Sequence, residues 1–155
     1  MSPPSSPSRL TRLLRLGRGE LVATARAVLE AVIVEIRVRR TPIEPLARRY
    51  GVPLDTRSEE QGRDRTPAGA PPQLTQQEQC HLRAITRVMR RWPFGRGSCL
   101  REALLYGRAV SSHQPVLRLG VRRGEQGLVA HAWVELPGMM LGGRRDFRTL
   151  RRFDA

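Results

Sequence analysis

The stretch from Gly97 to Leu136, GSCLREALLYGRAVSSHQPVLRLGVRRGEQGLVAHAWVEL, contains the pattern that decides the fold. Its first part, from Cys99 to about Val110, has apolar residues at helical spacing and follows a glycine-bearing loop. The residues at 116–121 and 128–136 instead read as two strands, with turn residues between them. The stretch therefore predicts one helix followed by an antiparallel hairpin.

Helical patterns precede this stretch. From about Leu21 to Val38 the apolar positions recur at spacings of three and four residues, as on a helix. A short helix is predicted at about 42–50, because Thr41-Pro-Ile-Glu44 has the capping-box pattern and Gly51 can end a helix. A second capping box, Thr75-Gln-Gln-Glu78, predicts the start of the helix that precedes the Cys99 loop.

The chain is long enough for one overall domain, which we divide by composition. Residues 1–8 form a Pro/Ser tail that we expect to be disordered, and 9–51 form a helical N-terminal segment. Residues 52–73 are polar and rich in Pro and Gly, which predicts a flexible linker or loop. The remaining residues, 74–155, hold the predicted helices and strands of the core, with a third strand at 139–141. Helices followed by an antiparallel sheet make an α+β fold.

The charge is strongly positive and is carried entirely by arginine. The chain has 28 basic residues against 14 acidic ones, for a formal net charge of +14, and contains no lysine. These arginines are scattered singly and in pairs, without zinc-finger spacing or an aromatic RNA-binding strand. An Arg-rich nucleic-acid binder is thus a remote alternative, and an acidic peptide or protein partner fits the charge at least as well.

Several other classes are disfavoured. Two cysteines, Cys80 and Cys99, do not make a disulfide framework, and Cys80 with His81 lacks further ligands at metal spacing. We therefore expect no metal, and because no phosphate-binding loop is present, we expect no cofactor. Because neither a signal-peptide core nor a membrane span is apparent, we expect a cytoplasmic protein.

Cys99 is the candidate nucleophile. It follows Gly97-Ser98 at the predicted start of a helix, where unpaired backbone N–H groups and the helix dipole favour a thiolate. The same N–H groups can stabilise an oxyanion formed when the thiolate attacks a carbonyl. On spacing alone, a cysteine at a helix start is more often structural than catalytic.

His131 is the candidate general base and acid, since a thiolate nucleophile usually works with a histidine. It lies in the middle of a predicted strand, between the small residues Ala130 and Ala132. Alternation places His131, Trp133 and Glu135 on one face of that strand. A histidine and a glutamate beside a tryptophan are more typical of a site than of a core.

Three blocks occur in order and together resemble the leader peptidases of lasso peptide biosynthesis, which belong to the transglutaminase-like superfamily of cysteine proteases. They are CLREALLYGR from Cys99, PVLRLGVR from Pro115 and AHAWVELPG from Ala130. The resemblance is strongest over 93–138 and looser over about 22–92. The combination of blocks is specific, whereas each block alone would be weak.

The resemblance implies a transglutaminase-like (papain-like) core, with a Cys-bearing helix packed on a small antiparallel sheet. It implies that Cys99 attacks the carbonyl at the leader–core junction of a precursor peptide and that His131 protonates the leaving amine. Water then releases the acyl-enzyme. The implied partners are the precursor peptide, a separate leader-binding protein and the lasso cyclase.

The third catalytic residue departs from the family pattern. The family commonly has an Asp about a dozen positions after the His, but here that position falls at Gly142-Gly143. Asp146 is the nearest acid; alternatively, Glu135 or a backbone carbonyl orients the imidazole, or the site is weakened. A weakened site would make the chain a non-catalytic scaffold. A transglutaminase-like acyl transferase, with an amine as acceptor, is a further alternative.

Overall fold

The computed structural model describes residues 18–55, 69–94, 98–124, 127–142 and 148–149. Predictions for residues 1–17, the loop at 95–97 and Asp146 therefore lie outside the described residues. Within the described ranges, the elements in chain order are α1 (Arg18–Val38), α2 (Ile43–Arg49), α3 (Gln76–Met89), α4 (Ser98–Ala109), a 3-10 turn (Ser111–His113), β1 (Val116–Gly124), β2 (Gly127–Leu136), β3 (Met139–Leu141) and β4 (Arg148–Thr149). The predicted α+β class is confirmed.

The strands form one antiparallel sheet in the order β3-β2-β1-β4. β1 and β2 pair along their whole length, with Gly120 opposite His131 and Leu119 opposite Ala132. β3 pairs only with residues 134–136 of β2. β4, which the sequence did not predict, pairs with β1 at Gly120 and Val121. The hairpin predicted at 116–136 is therefore the centre of the sheet.

The core lies between the helices and one face of this sheet. α4 packs on β1 and β2, and α1 packs on α3 and α4. The small side chains of Ala27 and Ala31, both fully buried on α1, let neighbouring helices approach closely. The sheet contributes the alternating residues Leu117, Ala132 and Val134. The N-terminal helices thus share one core with the helix that carries Cys99.

Two of the three helix ends predicted from the sequence are confirmed. Thr75 and Glu78 form the expected capping box at the start of α3. Gly51 ends α2 with φ at +71°, and the next amide donates to the carbonyl of Ala47, as in a Schellman motif. The capping box predicted at Thr41 is not formed: Pro42 is the N-cap of α2 and no side chain caps this end.

The predicted linker at 52–73 contacts the core at both ends. Val52 is fully buried, and Leu54 forms a parallel bridge with Leu117 at the edge of β1. At the other end, Gly69 lies against Pro137 in the turn between β2 and β3. The intervening residues, 56–68, lie outside the described ranges. In the described residues, no helix is both long and apolar enough to cross a membrane.

Gly107 of α4 lies against Val52, the first residue of the segment 52–73. This contact predicts an effect on stability. A Cβ added at Gly107 would lie 2.5 Å from the Cβ of Val52, so Gly107→Ala forces the buried valine or the helix to move. Alanine favours a helix over glycine by about 1 kcal/mol, whereas overpacking costs about 1–3 kcal/mol. We expect a net loss of up to about 2 kcal/mol in the free energy of unfolding, measured by urea denaturation.

Gly19→Ala is the matched control, because nothing lies within 4 Å of a Cβ built at Gly19. This variant is expected to be neutral or slightly more stable. A stability for Gly107→Ala equal to or above that of Gly19→Ala would show that the contact with Val52 does not constrain the fold.

Glu78 joins the start of α3 to the 3-10 turn. One carboxylate oxygen accepts from Thr75, and the other lies 3.0 Å from the Ser112 hydroxyl and 3.1 Å from His113 Nε2. Burial raises the pKa of Glu78, but the donors of Thr75, His113 and Ser112 outweigh it and lower the pKa from 4.5 to about 2. The carboxylate is thus stabilised in its charged form.

This lowered pKa predicts an acid dependence of stability. Because the folded-state pKa is depressed, the contribution of Glu78 is present above its ordinary pKa and is lost as the pH falls from about 5 to about 2. Glu78→Gln is expected to lower stability at pH 7 and to flatten the decline over that window, as measured by thermal unfolding at each pH. Glu44→Gln, at a carboxylate in an exposed i,i+4 pair with Arg48, is the control and should leave the profile almost unchanged. Parallel profiles for Glu78→Gln and the native chain would contradict the prediction.

Candidate active site

Cys99 lies in the first turn of α4, directly after Ser98. Its side chain is half-buried and packs against the edge of the core, and it forms no disulfide. The described first turn of α4 holds Arg101 and no acidic residue. Backbone N–H groups at the first turn of a helix lack intrahelical acceptors, so the positive end of the α4 dipole lies at the thiol. The structure therefore places Cys99 at the start of a helix, as the sequence predicts.

β2 presents His131 on the face opposite the buried residues Ala132 and Val134. Trp133 and Glu135 share the face of His131, as alternation predicts. The rings of His131 and Trp133 are stacked, with centroids 6.2 Å apart and an angle of 22° between their planes. Trp133 is itself 4% exposed, so the imidazole lies against a fixed ring.

The imidazole of His131 is oriented by a backbone carbonyl. Its Nε2 lies 2.7 Å from the carbonyl oxygen of Gly142. Because a carbonyl oxygen can only accept, Nε2 carries the proton in this bond, and the neutral ring has its lone pair on Nδ1. Among the described residues no hydrogen bond joins His131 to Cys99, so the structure sets the two on adjoining elements, β2 and α4, without a direct bond between them.

Gly142 also lies beside α4. It follows β3 with φ at +69°, a conformation that favours glycine, and a Cβ built there would come 3.5 Å from the ring of Tyr106. Tyr106 is two helical turns after Cys99 and its hydroxyl donates to Glu102, one turn after Cys99. The carbonyl that binds His131 thus belongs to a residue that lies beside the Tyr106 ring of α4.

Tyr106 is a neutral, fixed group on this side of α4. Burial raises its pKa, and the Glu102 carboxylate, to which the hydroxyl donates, raises it further. The hydroxyl also lies 2.7 Å from Thr86 Oγ1 on α3. The ring next to Gly142 is therefore held by two helices.

Glu135 does not contact His131 in this arrangement. One of its oxygens accepts from Trp133 Nε1 at 2.9 Å and the other from Arg118 Nε at 2.9 Å. Arg118 also pairs with Asp55. Glu135 therefore holds the indole ring of Trp133, on which His131 stacks. It acts on the imidazole through that ring. Asp146, the other acid considered for this role, lies outside the described residues.

A buried ion pair holds the start of α4 against α1. Glu35 and Arg101 are 6% and 8% exposed, and two of their contacts are parallel, at 3.0 Å (Nη2 to Oε1) and 2.5 Å (Nε to Oε2). Arg39 Nε and Trp92 Nε1 donate to the same carboxylate. Burial raises the pKa of Glu35, but the donors of Trp92, Arg39 and Arg101 outweigh it, and the pKa lies below its usual range. Arg101 is two residues after Cys99, so this pair fixes the turn that holds the thiol.

A second buried carboxylate on α1 connects α3 and α4. Glu30 Oε2 lies 2.9 Å from His81 Nε2, and Glu30 also pairs with Arg26 and, at 3.6 Å, with Arg108. Burial raises the pKa of Glu30, and the contacts of His81 and Arg26 more than reverse this effect. Neither network was predicted from the sequence; the available signal was Glu30 and Glu35 within the most apolar segment of α1, from Ala27 to Ile36.

The remaining candidates lie apart from this site. Cys80 is on α3, where its sulfur contacts Arg83 at 3.2 Å, and His113 pairs with Glu78. Among the described residues, no group of three or more His, Cys, Asp or Glu side chains is placed to hold a metal ion.

The family model described as the Transglutaminase-like superfamily matches residues 37–153 of the chain, well over half of its length. The chain belongs to this superfamily. Neither the curated proteins nor the solved structures contain a match to it. Members of the Transglutaminase-like superfamily are usually cysteine peptidases or transferases. The match begins near the end of α1 and includes both Cys99 and His131.

Proposed function

We propose that this chain is a cysteine peptidase that removes the leader from a ribosomally made lasso-peptide precursor. The observation that carries the proposal is the bond between His131 Nε2 and the Gly142 carbonyl, which orients the imidazole on the strand that packs against the Cys99 helix. Superfamily membership and the three sequence blocks from Cys99, Pro115 and Ala130 support it.

The proposed reaction begins with transfer of the Cys99 proton to His131 Nδ1. The thiolate attacks the carbonyl at the leader–core junction, and the N–H groups at the start of α4 stabilise the resulting oxyanion. His131 then returns the proton to the leaving amine of the core. Water, activated by the same imidazole, hydrolyses the thioester and releases the leader with a free carboxylate.

In this proposal the Gly142 carbonyl takes the place of the family Asp. The third member of such a site chiefly selects the tautomer of the histidine and orients its ring. A neutral carbonyl does both, although it stabilises an imidazolium less than a carboxylate would. This bond supports a catalytic site over a non-catalytic scaffold. A role of Asp146 as the third catalytic residue stays a prediction.

The proposed partners are the precursor peptide, a separate leader-binding protein and the lasso cyclase that joins the freed core amine to an acidic side chain. The net charge of +14 suits an acidic peptide or protein.

Mass spectrometry of a candidate precursor, incubated with the chain and its leader-binding partner, tests the function. Hydrolysis gives two fragments whose summed mass exceeds the precursor by one water, whereas acyl transfer gives a leader extended by the acceptor amine. Fragments that form equally fast with the native chain and with Cys99→Ala or His131→Ala would contradict the mechanism. No cleavage of any lasso precursor supplied with its own partner would favour the scaffold.

A further inference from the structure

A groove opens at the surface between the last turns of α1 and the residues that follow α3. Its volume is about 390 Å³. The floor is apolar and consists of Val32, Ile36, Trp92 and Phe94. Ile36 and Phe94 are 48% and 50% exposed, and the two aromatic rings meet edge to face with centroids 6.2 Å apart. Half-exposed large apolar side chains around a concave surface are typical of a binding site.

The groove is the end of an apolar stripe along α1. Ala27, Ala31 and Val34 are buried on one side of the helix, while Val22, Leu29 and Ile36, each seven residues apart, are exposed on the other. An apolar stripe along a helix normally packs against another surface. Among the residues that the structure describes, none covers this side of α1.

The charge around the groove favours an acidic occupant. Arg39 and Arg40 are exposed at its rim, and the guanidinium of Arg39 lies 5.4 Å from the centre of the Phe94 ring. The lining acid, Glu35, is shared by Arg101 and Arg39, and Arg40 adds a third cation, so the rim keeps an excess of positive charge. A second copy of the chain would bring a further charge of +14 against this surface, which repulsion disfavours.

The groove is also adjacent to the start of α4. Phe94 precedes Cys99 by five residues, and Trp92 of the floor shares the Glu35 carboxylate with Arg101 of the Cys99 helix. An occupant of the groove would therefore lie beside residues that hold the start of the Cys99 helix. This position favours a segment of the substrate peptide over a partner that docks far from the site.

We propose that this groove binds a segment of the peptide substrate in which large apolar side chains stand next to carboxylates. The apolar side chains fill the space between Ile36 and Phe94, and the carboxylates pair with Arg39 and Arg40. The proposal rests on the proposed function, because the bound segment is part of the peptide that the peptidase cleaves.

A random 12-residue peptide library, selected on the immobilised full chain carrying Cys99→Ala, tests the proposal without depending on cleavage. Enriched peptides are then made with a fluorescent label, and their affinity is measured by anisotropy. We expect sequences that combine Phe, Leu, Ile or Trp with Asp or Glu. Their affinity should fall at least ~10-fold on adding either Ile36→Glu or Arg40→Glu, a loss of about 1.4 kcal/mol.

Val22→Glu is the matched control, since Val22 is 69% exposed on the same stripe and lies about 21 Å along α1 from Ile36. It should change the affinity less than ~2-fold, which is below about 0.5 kcal/mol. Thermal unfolding of each variant checks that these exposed positions leave the fold intact.

Three results would overturn the proposal. They are failure to enrich any peptide, enrichment of peptides without acidic residues, and affinities that Ile36→Glu and Arg40→Glu leave unchanged.

A membrane surface is the competing occupant of a basic, apolar face. If vesicles containing phosphatidylglycerol displace the peptides, and Ile36→Glu abolishes vesicle binding, the groove is a lipid contact instead. Because binding is read without cleavage, an inactive peptidase and an empty groove give different results.

Discussion

Replacing Cys99 with alanine is expected to lower the rate of precursor cleavage by at least ~10³-fold, since loss of a nucleophile in a serine protease costs up to ~10⁶-fold. The side chain is half-buried at the start of α4, where alanine fits without a clash. Loss of activity should therefore come with little loss of stability. Rates from liquid chromatography and unfolding curves from circular dichroism measure the two effects separately.

Cys80→Ala is the control for this prediction, because Cys80 is the other thiol and lies on α3 beside Arg83. It should retain nearly the native cleavage rate. Alkylation with iodoacetamide at neutral pH gives an independent measure: the native chain and Cys80→Ala should lose activity as one label is added, and peptide mapping should place it on Cys99. Cleavage by Cys99→Ala at the native rate would remove this thiol from the reaction.

Glu35→Leu is expected to produce the largest loss of stability, about 3 kcal/mol in the free energy of unfolding. The substitution removes the carboxylate to which Arg101, Arg39 and Trp92 donate, at a place where the side chains of Glu35 and Arg101 are about 10% exposed or less. Arg101→Met should cost less, because Arg39 and Trp92 still donate to Glu35. The double variant Glu35→Leu with Arg101→Met should recover part of the loss, since it leaves neither charge of the pair in the core.

Chemical denaturation of the four chains gives the coupling energy between the two residues. Arg48→Ala is the control, because it breaks the exposed pair with Glu44 on α2 and should cost no more than about 0.5 kcal/mol. If Glu35→Leu proved no more harmful than Arg48→Ala, the Glu35–Arg101 pair would not be what holds α4 to α1. The same conclusion would follow if the loss of stability in the double variant equalled the sum of the losses in the two single variants.

Much of the fold could be predicted from local pattern. Helical spacing, the Thr75 capping box and the strand alternation after Pro115 correspond to α1, α3, β1 and β2 within a few residues. These signals work because they arise from neighbours along the chain. The Thr41 capping box failed despite a matching pattern: the chain enters α2 through Pro42, and no side chain caps the helix there.

The candidate site was predictable in its residues but not in its contacts. A cysteine after Gly97-Ser98 and a histidine in an alternating strand are visible in the sequence, and the three-block resemblance joins them. The role of the Gly142 carbonyl was visible only as one of several alternatives, because any backbone carbonyl looks the same in a sequence. Which carbonyl meets Nε2 depends on how β3 leaves the sheet beside α4.

The sequence by itself determined the α+β class, the helix that carries Cys99 and the strand that carries His131, since periodicity and capping are local properties. Only the tertiary structure decided that Glu135 supports Trp133, that Glu35 pairs with Arg101, and that Val22, Leu29 and Ile36 of α1 are exposed. These outcomes depend on contacts between residues far apart in the chain. Their partners are chosen by packing and by the need to satisfy buried charge, which no local pattern records.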